Sequence, residues 1–108
     1  MSQLLHNQIG YLKMLAHCSP HQRNVLLTTA TPEQIHAICE VCYNLIKGTI
    51  PISRNQKEQL RDHANDIRDL ANPSTPYKTK KQIVAQRGGG FVSDVLTPLL
   101  STLSTFIL

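Results

Sequence analysis

Apolar residues in this chain recur every three or four positions, the period of a helix, and Pro, Ser, Thr and Gly punctuate the runs. Over residues 3–17, Leu4, Leu5, Ile9, Leu12 and Leu15, with Met14 and Ala16, keep that spacing. Ser19-Pro20 opens the next helix with a capping residue and a proline in the first turn; its apolar residues are Val25, Leu26 and Leu27. Thr31-Pro32-Glu33-Gln34 gives a stronger start. Thr31 and Gln34 are spaced as a capping box, and Glu33 suits the positive end of the helix. Ile35, Ile38, Cys39, Cys42, Leu45 and Ile46 then form the best amphipathic stripe in the chain, and Gly48 is placed to end it. Ile50-Pro51-Ile52 reads as extended, because a proline restrains the residue before it. Ser53 caps a charged helix over about residues 55–70, with Leu60, Ala64, Ile67, Leu70 and Ala71 inside and Glu58, Arg61, Asp62 and Asp66 outside. Asn72 to Pro76 is a breaker, and a short helix over residues 77–86 is anchored by Ile83 and Val84 alone. No strand-like alternation longer than a few residues occurs, and there is no internal repeat. The pattern predicts an all-α fold: a bundle of about four helices over residues 1–72, a basic linker over 73–90 and an apolar tail over 91–108.

The tail is the sharpest pattern. Val92, Val95, Leu96, Leu99, Leu100, Leu103, Phe106 and Ile107 share one helical face, and Ser93, Asp94, Thr97, Ser101, Thr102 and Ser104 fill the other. Asp94 and Pro98 make the segment a poor transmembrane span, which needs about 20 apolar residues. Pro98 kinks this helix or marks its start. Three fates are open: folding back on the bundle, docking in a partner such as a capsid shell, or lying in a membrane interface. Gly88, Gly89 and Gly90 read as a hinge that eases the last two, since glycine accepts nearly any backbone angle.

Length and charge refine this picture. A chain of 108 residues is one domain, too small for an enzyme with a deep cleft, and without Trp its core is mainly aliphatic. The net charge of +4 is unevenly placed: residues 77–90 carry Lys78, Lys80, Lys81 and Arg87 and no acid. That concentration suggests contact with phosphate or another acidic surface, salt-sensitive and indifferent to sequence, with a solvated linker as the plain alternative. No base-reading motif is present.

Cys18, Cys39 and Cys42 are an odd set without a signal peptide, which points to a reducing compartment, cytosol or nucleus. His36, Cys39 and Cys42 offer a weak metal or redox candidate, with His17, Cys18 and His21 the only further ligands. Cys39 and Cys42 lie on the apolar stripe, where cysteine behaves as a small hydrophobe, so buried core thiols are the expectation. The histidines, His63 beside Asp62 included, are scattered. No catalytic constellation and no phosphate-binding loop appears, and no cofactor is expected.

The run Ile83-Val84-Ala85-Gln86-Arg87-Gly88-Gly89-Gly90-Phe91, with Leu96 to Leu100 after it, resembles the end of adenovirus core protein X precursors. There a basic region meets Gly-Gly and a Leu/Pro-rich apolar segment. The chain is still more similar to the X-type proteins of adintoviruses and Maverick/Polinton elements, in which a helical domain precedes that end. Residues 32–40 and Ile50-Pro51-Ile52-Ser53 extend the likeness to about residues 10–108. The resemblance implies a non-enzymatic minor core or capsid-associated protein, found in the virion and in the host nucleus or cytoplasm. Its implied partners are viral DNA, capsid proteins, a maturation protease and a membrane. Adenovirus-type proteases cut after a Gly-x or Gly-Gly preceded two residues earlier by a long uncharged side chain, the place Gln86 holds before Gly88-Gly89. The resemblance therefore implies a cut between Gly89 and Gly90, within the site Gln86, Arg87, Gly88, Gly89 and Gly90. This chain lacks the Arg-rich tract of the adenovirus product, which moves the expectation from genome condensation toward a capsid-lining or membrane-active role. The rival reading is a helical protein-interaction module whose tail anchors it to a membrane or partner.

Overall fold

Three reciprocal capping boxes set where helices begin. Ser19 with Gln22, Thr31 with Gln34, and Ser53 with Gln56 each exchange side-chain and backbone bonds. The structure, a computed structural model, describes residues 2–99. Among these it is helical throughout and contains no strand: α1 (Gln3–Asn7), α2 (Ile9–His17), α3 (Pro20–Thr28), α4 (Pro32–Lys47), α5 (Arg54–Arg61), α6 (Ala64–Ala71), α7 (Tyr77–Phe91) and a π-helical turn over Val92–Leu96. Gly48 closes α4 at φ 77°, a left-handed angle that glycine adopts without penalty.

Two of the expected helices are each divided. Residues 3–17 break at Gln8, so that α1 lies on α4 while α2 meets α3 and the π-helical turn. Ser2 holds the start of α1: its hydroxyl accepts from the Leu5 N–H and donates to Glu40 Oε2 at 2.6 Å. Tyr11 on α2 donates its hydroxyl to the Leu26 carbonyl on α3, and burial raises its phenol to about 12. Residues 55–70 break at Asp62-His63, where the His63 ring meets Asp94 and makes no cap on α6.

The core is one aliphatic cluster. On α4, Ile35, Ile38, Cys39, Cys42 and Leu45 are buried as the stripe predicts, but so are Ala37 and Val41, because α4 is covered by α1, α6 and α7 together. Ile46, the last residue of the stripe, is 54% exposed, and on α3 only Leu27 of the three apolar residues is fully buried. No polar or charged side chain is buried among the described residues.

The largest departure from the sequence pattern lies in the last third. The helix expected to stop near Gln86 runs through Gly88, Gly89 and Gly90 to Phe91, and helical backbone continues through the π turn to Leu99. The glycines form no hinge. Gly88 is buried where α7 meets α3: a Cβ there would lie 3.1 Å from Leu27 Cδ1. A Cβ on Gly90 would lie 3.4 Å from His63 Cε1, whereas one on Gly89 would meet nothing within 4 Å. The π turn follows from Pro98. In an α-helix its ring would press on the carbonyl four residues back, Asp94, and it has no N–H to donate. Widening the preceding turn relieves this, and Thr97 bonds the Val92 carbonyl through both its N–H and its hydroxyl. The extra residue in the turn also rotates the helix, keeping Val95, Leu96 and Leu99 in phase with Phe91 on the core side.

These glycine environments predict unequal effects of added methyl groups. Gly89→Ala is expected to stabilise the fold by about 1 kcal/mol, because alanine is the better helix former, raising the thermal midpoint by about 4 °C. Gly88→Ala gains the same propensity but must displace buried Leu27, so it is expected to be the less stable of the two in urea or thermal unfolding.

Candidate partner-binding surface

The basic segment reaches its position through the breaker before it. Asn72 Oδ1 accepts from the Ser74 N–H and its carbonyl from the Thr75 N–H, a turn that delivers Pro76 to the head of α7. Tyr77 then meets His36 of α4 edge-on, ring centroids 5.7 Å apart. Ile83, Val84, Gly88 and Phe91 fix the buried side of α7.

At 100° per residue this orientation divides the four cations. Lys78 and Lys81 share one exposed flank with Ala85 and Gly89. Lys80 and Arg87 lie on the other, toward α4 and α6. Lys80 is half-buried, and its ammonium is near enough to Cys39 and Cys42 to favour their ionised forms. Arg87 Nη2 is 3.3 Å from Asp66 Oδ1 on α6. The segment is therefore a helix with two charges per flank, one of the four already engaged, and not a single cationic face.

The thiol candidates lie inside the protein. Burial pushes Cys39 up, against the pull of Lys80, and pushes Cys42 well above the ordinary thiol value, with the neighbouring Cys39 adding to it. A thiol held protonated is a poor nucleophile and metal ligand. His36 is exposed and turned to Tyr77, and the described residues hold no group of three or more His, Cys, Asp or Glu able to bind a metal ion.

The proposed cleavage site is helical, with Gly88 buried, and Gln86, Arg87, Gly89 and Gly90 exposed. Beside it, His63 Nε2 lies 2.9 Å from Asp94 Oδ2, and the His63 ring stands edge-on to Phe91 at 6.5 Å, joining the α5–α6 corner to the π turn. Of the residues expected to dock on a membrane or partner, Val92, Val95, Leu96 and Leu99 are buried in the core. They offer no free surface in this fold. Leu100, Leu103, Phe106 and Ile107 lie outside the described residues. No helix among the described residues is long and apolar enough to cross a membrane.

Two open apolar grooves were not legible as sites in the sequence. One, about 360 Å³, lies between α2 and α3 around Met14, Val25 and Leu26. The other, about 350 Å³, lies between the end of α4 and the α5–α6 pair. The signal for the second was the i, i+4 pair Lys57 and Arg61 on the flank of an otherwise apolar position, Leu60. No family model, curated protein or solved structure matches the chain, so these surfaces are interpreted from their own chemistry.

The divided cations predict an asymmetric response to mutation. A straight duplex engages one flank of α7 at a time. Replacing Lys78 and Lys81 by Ala should lower the slope of log affinity against log salt for random duplex DNA by about 1.8. Replacing Lys80 and Arg87 should leave that slope nearly unchanged. Equal losses from both pairs would contradict the division, and absence of salt-dependent binding would remove DNA as a partner of α7.

Proposed function

We propose that this chain is a non-enzymatic minor virion protein of a DNA virus or virus-like transposon, acting as a capsid-associated helical module whose C-terminal helix is released by proteolysis at the glycines. The observation that carries the reading is the placement of Gln86 to Gly90 in a helix whose next residues are core. A cut between Gly89 and Gly90 severs Phe91, Val92, Val95, Leu96 and Leu99 from the bundle that buries them. Proteases bind extended substrate, so α7 must open locally first. Three consecutive glycines make that opening easy, each being about 1 kcal/mol less favourable in a helix than alanine. The uncut protein keeps the apolar segment covered, and the cut protein can yield it to a capsid groove or membrane. Lys78 and Lys81 supply a secondary, non-specific contact to packaged DNA. A helical protein-interaction module that is never cut is the second reading, and the exposed apolar grooves favour it.

Mass spectrometry of the protein from mature particles tests the first reading. A C-terminus at Gly89 is expected, and Gly89→Ala should slow its appearance. Only chain continuing past Gly90 in mature particles would overturn it.

A further inference from the structure

The groove between α4 and the α5–α6 pair combines two kinds of residue. Its floor is apolar: Ile46, Leu60, Ala64 and Ile67 line it, and Ile46 is 54% exposed. Its charged lining residues are all cations, Lys57 and Arg61 on α5 and Arg68 on α6. None of the three is in an ion pair among the described residues, whereas Asp66 is engaged by Arg87. The other carboxylates of these helices and the corner between α5 and α6, Glu33, Glu40, Glu58, Asp62 and Asp69, do not line the groove. Exposed Ile46 and half-buried Leu60 beside unpaired cations leave both apolar contact and charge unsatisfied at one place.

We infer that this groove docks an amphipathic helical peptide from a partner protein, with Leu- or Ile-sized side chains on one face and carboxylates flanking them. The open, shallow floor takes aliphatic side chains at helical spacing, and the cationic rim selects acidic flanks and rejects basic ones. The same chemistry disfavours the other occupants. Nucleic acid has no aliphatic face for Ile46 and Leu60, a bilayer surface offers no carboxylate-flanked helix to the three cations, and the apolar tail of this chain carries only Asp94. The α2–α3 groove lacks a comparable charged rim: its lining is Met14, Cys18, His21, Gln22, Val25 and Leu26. The inference holds whether or not the chain is a virion protein.

The test uses the full chain and two synthetic helical peptides, with Leu at i, i+3, i+4 and i+7 and either Glu or Lys at the flanking positions. Amide chemical shifts and fluorescence anisotropy are followed during titration. The Glu peptide is expected to bind saturably, to shift residues around Ile46, Leu60 and Ile67, and to bind at least about tenfold more tightly than the Lys peptide. Lys57→Glu with Arg61→Glu and Arg68→Glu should reverse that preference, and Ile46→Ser should weaken both peptides. These positions are on the surface, and unchanged unfolding midpoints confirm that each variant is folded. Equal binding of both peptides, shifts confined to the Met14–Val25 groove, or no saturable binding would overturn the proposal. So would loss of peptide binding to self-association, or a preference of the same residues for anionic vesicles or duplex DNA.

Discussion

The fold depends on one continuous helix that begins at Tyr77 and reaches Leu99 through a π turn. It packs on α2, α3, α4, α5 and α6, and without it those helices would have apolar faces turned to water. Phe91, Val92, Val95, Leu96 and Leu99 fill the centre, and burying an aliphatic or aromatic side chain contributes roughly 1.5–3 kcal/mol. Burial on that scale offsets the poor helix propensity of three glycines, each costing about 1 kcal/mol. Gly88 is more than tolerated. Its missing side chain lets α7 approach Leu27 closely, so one glycine of the run helps the packing that overrides the other two.

Two polar links reinforce the rotation that core packing gives this strut. Arg87 meets Asp66 and His63 meets Asp94, both joining it to α6 or the corner before α6. Neither is deeply buried, so each contributes about 1 kcal/mol or less, and they add to the buried Ile83, Val84, Gly88 and Phe91, which set which residues face outward. That rotation parts Lys78 and Lys81 from Lys80 and Arg87. Ile46, near the end of α4, stays exposed although α6 packs along that helix.

Helix starts were legible in the sequence because they are local. Thr31 with Gln34, Ser19 before Pro20, and Ser53 each satisfy orphan backbone groups within four residues, and the structure has helices beginning at all three. The stripe on α4 was legible for the same reason. The break at His63 was not, and the residue its ring meets there, Asp94, is 31 positions away. The continuation through Gly88 to Gly90 was hidden because local propensity opposes it and only tertiary burial supports it. The charges of the candidate surface could be counted in sequence. Their division between two flanks required the rotation of α7, which Leu27, Asp66 and His63 set from elsewhere in the chain.

Backbone amide hydrogen exchange over residues 84–96 tests this account most directly. If the glycine run is part of a core helix, the amides from Phe91 to Leu96 will exchange as slowly as those of α4, with Gly89 and Gly90 only moderately faster. If those amides instead exchange as fast as the connector Thr49 to Ile52, the strut does not exist. The last third would then be the hinge and free tail that its composition suggests.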